Sequence, residues 1–543
     1  MTAFTGTARL TRLALRRDRV QLPIWILSGV ALLAATVSST NQRYPSDADR
    51  IEVLRTAVDS PTLLMFRAAP TGSSTGTMAM FQILAFLAVV AGLMSTLAVV
   101  RHTRQNEETG RAEMLGATVV GRHAILTAAL IVTVIANAVL SVLLGFTLVG
   151  NGEPASGSFA AAAAVGATGI AFAAIAAIAA QITQTSRAAN GIAAAAIGAA
   201  YVVRGAGDAL GEVQANGYTM VSAWPSWLSP IGWATEVRPF AGDRWLVLAL
   251  PLALFAAGTG IAFALTVRRD SGVGMIPARP GPTRAAPRLL GPLGLAWRLQ
   301  RGTLYGWAVT ITLTGLTVGS LGNSLTGDNA LPEGAANTIN SLSGGDDGNL
   351  IDSLNTAMMG FMGMMAAGYA VQALLRLRSE EAGGPAEAVL ATATGRSRWL
   401  GAHLTIAVAG ALALLLLAGV SMGLVYGLSG DDLGGELAKL TGAALVQLPP
   451  ALILAGFAVA AFGLLPRLTI GLAWAALAVS LILGQLGELF ELPQVVRDLS
   501  PFSHVPALPA GELTVTPLVA LAAIALTLGA VGMALFRRRD LAL

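Results

Sequence analysis

Glu107-Glu108-Thr109-Gly110-Arg111-Ala112-Glu113-Met114-Leu115, running on to Gly121-Arg122, lies between two long apolar runs. A second stretch, Glu380-Glu381-Ala382-Gly383-Gly384-Pro385-Ala386-Glu387-Ala388-Val389-Leu390 with Gly395-Arg396, has the same setting later in the chain. The offset is 380 − 107 = 273 at the front and 396 − 122 = 274 at the back, which one inserted residue near Pro385 accommodates. A charged helix repeated between apolar runs predicts a chain built twice on one plan. It also marks the two points where a separate soluble engine could push on a membrane machine.

Composition agrees. Of 543 residues, 54% are hydrophobic and 12% charged, about half the charge share of a soluble domain. That selects an integral membrane protein. Abundant Ala and Gly suit helices that approach closely in lipid. The absence of cysteine excludes disulfides, thiolate metal sites and cysteine nucleophiles. The net charge of +4 comes from arginines gathered at the ends of apolar runs, where such residues set topology. It does not indicate nucleic acid.

Working outward, the first half holds apolar runs at Leu22–Ser39, 78–100, 124–149, 160–182, a run ending near Val203, and 245–267. The second half holds runs near 303–322, 355–377, 403–428, 439–464, 468–488 and 515–536. About 20 residues at 1.5 Å each cross the hydrocarbon layer. The predicted fold class is therefore all-α integral membrane, with about twelve transmembrane helices in two homologous six-helix halves. Residues 1–270 form the first half, 271–292 a Pro-rich cytoplasmic linker and 293–543 the second half.

Arg16-Arg17 before the first run invites a signal-peptide reading, but the run is longer than a signal's apolar region. The block also recurs internally. Leu13-Ala14-Leu15-Arg16…Arg19…Leu22…Trp25 matches Leu295-Ala296-Trp297-Arg298…Arg301…Leu304…Trp307 at offset 282. Two further matches close the repeat: Leu228-Ser229-Pro230 with Leu499-Ser500-Pro501, and Arg268-Arg269-Asp270 with Arg538-Arg539-Asp540. Between the first two spans, Ser46-Asp47-Ala48-Asp49 reads as a capping box. It opens a short amphipathic helix that ends near Pro61.

Arginine asymmetry sets orientation. Arg101, Arg104, Arg111 and Arg122 flank the first acidic stretch, and Arg376, Arg378, Arg396 and Arg398 the second. The connection 323–354 has no Lys or Arg. Both termini, the linker and both Glu-Glu stretches are predicted to be cytoplasmic.

Residues for catalysis are missing. A phosphate-cradling G-x-x-x-x-G-K-[ST] loop needs a lysine followed by Ser or Thr, and the only lysine, Lys439, precedes Leu440. His102, His123, His403 and His504 form no zinc-ligand pattern. The chain is expected not to be an enzyme, with neither cofactor nor metal of its own. A proton-driven carrier would need an ionisable group within the membrane. The predicted span interiors hold amides (Gln82, Asn137, Gln372, Gln447), whereas Arg204, Glu436, Lys439, Glu488 and Glu491 fall near outer ends.

The pattern E-x-G-x-x-E-x-L ending in a turn and Arg resembles the cytoplasmic helix after the second span of ABC exporter permeases. In layout, the chain is most similar to the fused double permeases of actinobacterial tetronasin and polyketide antibiotic efflux. The resemblance implies docking to an ATP-binding subunit through Glu107, Glu108, Gly110, Glu113, Leu115 and Arg122. In the second copy the matching residues are Glu380, Glu381, Gly383, Glu387, Leu390 and Arg396; both copies lack the family's proline before the turn. Carboxylates would meet a partner's basic groups, Gly would allow close approach and Leu would fill an apolar notch. The implied partners are two copies of a separate ATPase subunit carrying ATP and Mg, membrane lipid and a hydrophobic small molecule. The implied function is outward multidrug or antibiotic efflux across a bacterial plasma membrane.

Two methionine-rich faces add a possible cargo path: Met78, Phe81 and Met94 in the first half, and Met358, Phe361, Met362 and Met365 in the second. Methionine adapts to varied apolar ligands. Plain helix packing is the simpler reading of both. Two alternatives remain at this level: a proton-coupled twelve-helix drug carrier and a lipid-modifying membrane enzyme. Gly315-x-x-x-Gly319 is a close-contact signal of modest specificity.

Overall fold

The computed structural model describes residues 2–269, 272–276, 283–324, 350–429, 432–487 and 492–540. Most of the connection 323–354, Glu488, Glu491 and the linker prolines Pro277, Pro280 and Pro282 lie outside these. The chain forms two units, Met1–Gly281 and Pro282–Leu543.

The first unit contains α1 (Thr7–Arg17), α2 (Gln21–Arg43), α3 (Asp47–Val58), α4 (Pro61–Phe66), α5 (Thr75–His102), α6 (Arg104–Glu108), α7 (Arg111–Gly116), α8 (Ala124–Gly150), α9 (Ala155–Ile182), α10 (Ser186–Ala209), α11 (Pro230–Glu236) and α12 (Ala249–Val267). A two-residue antiparallel strand pair, Glu212–Val213 with Met220–Val221, follows α10. The second unit contains α13 (Pro292–Ser324), α14 (Leu350–Ala382), α15 (Pro385–Leu390), α16 (Arg396–Ser429), α17 (Leu433–Leu445), α18 (Leu448–Leu464), α19 (Thr469–Ser480), α20 (Gln494–Arg497) and α21 (Val515–Arg538).

Helices fill all twelve predicted span positions. Among the described residues, nine are long and apolar enough to cross a membrane by length and composition. The other three depart for visible reasons. Helix α10 carries Arg187, Asn190, Arg204 and Asp208, α13 opens on the polar block around Arg298 and Arg301, and α19 is only 12 residues long before a π turn. The chain is an all-α, multi-pass membrane protein.

Local chemistry sets the boundaries. Ser46 accepts from the Asp49 N–H and Asp49 returns the bond, so the predicted capping box starts α3. That helix ends at Val58, near Pro61 as expected, and Pro61 itself has a second role. It opens α4, behind the N-cap Ser60, because a first-turn proline has no amide to leave unpaired. The repeated Leu-Ser-Pro motifs play one role twice. Ser229 donates to the Ala200 carbonyl at 2.6 Å and caps α11, and Ser500 donates to the Ser480 carbonyl at 3.0 Å and caps the turn at Pro501.

Small residues let the spans approach. In the first unit the alanine face of α9 packs on α5, and Asn137 of α8 donates to Ser95 of α5 at 2.8 Å, a polar tie of the kind that holds helices in lipid. In the second unit Gly315 and Gly319 of α13 lie directly on Ser421, Met422 and Val425 of α16. The Gly-x-x-x-Gly signal is a real contact.

Candidate functional site

Helix α5 continues past the last apolar turn to His102, breaks at Thr103, resumes as α6 and stops at Gly110. Gly110 has φ +71°, a left-handed conformation, and serves as N-cap of α7. In the second unit α14 runs unbroken to Ala382, and Gly384 at φ +90° is the N-cap of α15. Each acidic stretch is therefore not one charged helix but two, turned about a glycine that needs positive φ.

These geometries give a register that differs from the sequence match. Gly110 is equivalent to Gly384, not to Gly383, since 384 − 110 = 274. The same offset relates Arg104 to Arg378, Glu107 to Glu381, Glu113 to Glu387 and Arg122 to Arg396. No residue is inserted near Pro385. The repeated Glu-Glu pair had masked this, because in the 274 register Glu108 faces Ala382 and Glu380 faces Asn106.

The equivalent residues make equivalent bonds. Glu107 takes both Arg269 terminal nitrogens, at 2.6 and 2.8 Å, and a bond from Arg104 at 2.7 Å. Glu381 takes both Arg539 terminal nitrogens, at 2.7 and 3.0 Å, with Arg378 at 3.4 Å. Arg269 and Arg539 follow the last span of each unit and belong to the repeated Arg-Arg-Asp motifs. Bidentate Arg–carboxylate pairs of this kind combine strength with fixed geometry.

A second pair of contacts ties the same elements together. Arg122 donates to the Val267 carbonyl at 3.3 Å, and Arg396 donates to the carbonyls of Arg537 at 3.4 Å and Arg539 at 2.5 Å. Val267 and Arg537 are equivalent, since 537 − 267 = 270. Arginine here meets the unpaired carbonyls that every helix C-terminus leaves.

The remaining candidates divide by exposure. Glu108 accepts from the Ser186 N–H at 3.0 Å and its hydroxyl at 2.5 Å, at the start of α10. Glu380 bonds Arg376 at 2.8 Å and lies 3.7 Å from His403. Leu115 and Leu390 are half-buried against their own units. Glu113 and Glu387 are exposed and make no ion pair among the described residues. Met114 beside Glu113 is 67% exposed.

The methionine faces also divide. Met78, Phe81, Met94 and Met362 are buried in the cores of their units. Met358, Phe361 and Met365 are half-exposed, and on the same side of α14, beyond Gly368 under Trp307, Gln372, Leu375 and Ser379 are again partly exposed. Helix α5 shows a corresponding stripe of Gln82, Phe86, Val90, Leu93, Leu97 and Arg101, with the rest of the helix largely buried. In the first half the methionines therefore mark the core and not this stripe.

Comparison with known proteins adds two findings. Residues 289–537 match the family model described as multidrug efflux system permease Rv1217c, C-terminal domain. Over 538 residues the chain is 39% identical to the multidrug efflux system permease protein Rv1217c of Mycobacterium tuberculosis (strain ATCC 25618 / H37Rv), covering 99% of this chain and 95% of that one.

Proposed function

Since the chain belongs to the family of multidrug efflux system permeases represented by Rv1217c, we propose that it is the membrane subunit of an ATP-driven ABC exporter for hydrophobic or amphipathic compounds. Energy comes from two copies of a separate ATPase subunit, which hold the ATP and Mg. One copy docks beneath each unit. Both termini lie in the cytoplasm of a bacterial cell, on the side to which the arginines gather.

The observation that carries this reading is the pair of short helices, α7 and α15, each started by a left-handed glycine and presenting an exposed carboxylate, Glu113 or Glu387, with no ion pair among the described residues. Exposed carboxylates can meet a partner's arginines in charge-assisted bonds. Glu107 and Glu381 do a different job, since their ion pairs are made within the chain.

The mechanism follows from these attachments. ATP binding draws the two ATPases together and displaces α7 and α15. Because each loop is tied to the end of the last span through Glu107–Arg269 or Glu381–Arg539, the displacement passes to α12 and α21 as well as to the neighbouring spans. Within each unit the half-exposed stripe, on α5 in the first and on α14 in the second, then meets the cargo, in place of the buried methionines.

Co-purification tests the proposal. An ATPase should accompany the wild-type permease at two copies per chain, and the double variant Glu113→Lys/Glu387→Lys should lose it while remaining folded. Transport by the purified chain alone down a pH gradient would overturn the reading in favour of the proton-coupled carrier.

A further inference from the structure

A cavity of about 330 Å³ opens in the first unit, lined by Arg17, Gln21, Leu97, Arg101, Gln105, Ser186 and Asn190. It lies between the start of α2, the end of α5 and the start of α10. Its volume is that of about ten water molecules, enough for a phosphodiester with its glycerol. All the lining side chains but Leu97 are polar, a composition that invites a polar occupant.

The charges around it are unevenly satisfied. Arg17 donates to Asn106 at 2.8 Å, and burial together with the nearby Arg111 and Arg101 charges depresses its pKa. Arg101 bonds Asp18 at 2.9 Å, but the other oxygen of Asp18 is taken by His102. Glu108, the carboxylate nearest the α10 side, is held by Ser186. The amide oxygen of Asn190 is buried without a hydrogen-bond partner among the described residues. Two guanidinium groups thus crowd a space whose acidic neighbours are already engaged.

The surroundings are those of a lipid surface. Leu97 belongs both to the cavity wall and to the half-exposed stripe that continues through Leu93 and Val90 to Phe86. One turn beyond Gln21, Ile24 is exposed. Helix α1, which leads into the cavity, carries Arg9, Arg12, Arg16 and Arg17 with no acidic residue, and exposes Leu13. Basic amphipathic helices of this kind lie on anionic membranes. The positions of the second unit equivalent to Arg17 and Arg101 are Leu299 (17 + 282) and Leu375 (101 + 274).

We propose that this cavity binds the phosphate headgroup of an anionic phospholipid, with the acyl chains leaving past Leu97 and the exposed Ile24 of α2. The leaflet is the inner one in the orientation proposed above, and the site anchors the first unit to it. Phosphate would bridge Arg17 and Arg101, with the Gln21 and Gln105 amides as further donors, and the Asn190 amide oxygen would accept from a headgroup hydroxyl.

Native mass spectrometry of the delipidated full-length chain in neutral detergent tests this, using phosphatidylglycerol, phosphatidylcholine and inorganic phosphate as probes. Phosphatidylglycerol should bind at least tenfold more tightly than phosphatidylcholine. Arg17→Gln and Gln21→Glu should each weaken it about tenfold, and Arg12→Gln on the exposed face of α1 should not. The Gln21 side chain is exposed and makes no hydrogen bond among the described residues, so the second variant is safe for folding. Equal binding of the two lipids, or unchanged phosphatidylglycerol binding in both cavity variants, would overturn the proposal. So would inorganic phosphate binding as tightly as the lipid with the same sensitivity to variants, since the occupant would then be a free anion. No ATPase or transport enters the measurement, so its failure leaves the exporter reading untouched.

Discussion

Glu107 and Arg269 face each other across two hydrogen bonds of 2.6 and 2.8 Å, and so join the loop after the second span to the end of the last span. The pair recurs as Glu381 and Arg539. Glu381 is the more deeply placed, with a side chain 1% exposed against 13% for Glu107, and Arg539 also stacks over Phe462 and Phe536 at 4.9 and 5.2 Å. Losing one partner of a buried ion pair leaves a charge without compensation. Glu381→Gln should therefore destabilise the chain by about 3 kcal/mol, and Glu107→Gln by less. The reversed pair Glu107→Arg/Arg269→Glu should recover only part of the loss, because Arg104 would then face a like charge. Thermal unfolding in detergent gives the ranking, and equal losses at the two sites would contradict it.

The exposed acids should behave in the opposite way. Glu113→Ala and Glu387→Ala remove side chains with no ion pair among the described residues, so the unfolding midpoint should stay within about 0.5 kcal/mol of wild type. Export should nevertheless fall steeply in the double variant. An export assay in cells, with membrane abundance as control, separates docking from bracing. Normal export in that variant would remove α7 and α15 from the coupling path.

Backbone strain gives a prediction free of packing. A Cβ at Gly110 or Gly384 would meet nothing within 4 Å, yet both residues have positive φ. The cost of Gly→Ala is then conformational, about 1–2 kcal/mol at each site. Asn, which tolerates the left-handed region, should cost less. Paired unfolding curves for the Ala and Asn variants at one site check the order.

The repeat was legible because its motifs are covalent neighbours. Acidic stretch, arginine turn, Leu-Ser-Pro and Arg-Arg-Asp each occupy a few adjacent positions, and hydropathy placed the helices between them. What escaped was register and long-range pairing. Glu107 and Arg269 are 162 residues apart, and nothing local announces that one closes on the other. The doubled glutamates allowed a register shifted by one residue, which only the left-handed glycines resolve. Arg204 is a further case. It is buried and reaches the carbonyls of Leu64, Met65 and Arg67, while Tyr201 takes that of Phe66, so together they satisfy the unpaired end of α4. The sequence showed only a basic residue near an outer end.

Acid should weaken the first unit through Asp18. Burial raises the carboxyl's pKa, but hydrogen bonds and charges from His102 and Arg101 outweigh it and leave the value below 3.8. A carboxylate with a lowered folded pKa contributes stability above its unfolded pKa and loses it as pH falls through the folded one. Wild type should therefore lose stability below about pH 4 more steeply than Asp18→Asn, which should be the less stable of the two near pH 7. Unfolding midpoints across pH 2.5–7, about the range in which carboxylates titrate, decide the matter. Parallel curves for the two proteins would show that the pair contributes nothing.

Neighbouring residues on α14 separate cargo contact from core packing. Met362 is 1% exposed within the core of the second unit, so Met362→Ala should cost about 2–4 kcal/mol through the cavity it leaves and lower export of every compound alike. Phe361 is one position away but half-exposed on the stripe, where truncation opens no enclosed cavity. Phe361→Ala should leave the midpoint nearly unchanged and alter which compounds are exported, because an apolar path discriminates through the area each cargo buries. Phe86→Ala on α5 should do the same with a different set of compounds, since the two stripes differ in residue type. Export of a panel of dyes and antibiotics, normalised to membrane abundance, reads the distinction directly. A uniform decrease for both phenylalanine variants would return the stripes to ordinary packing surfaces.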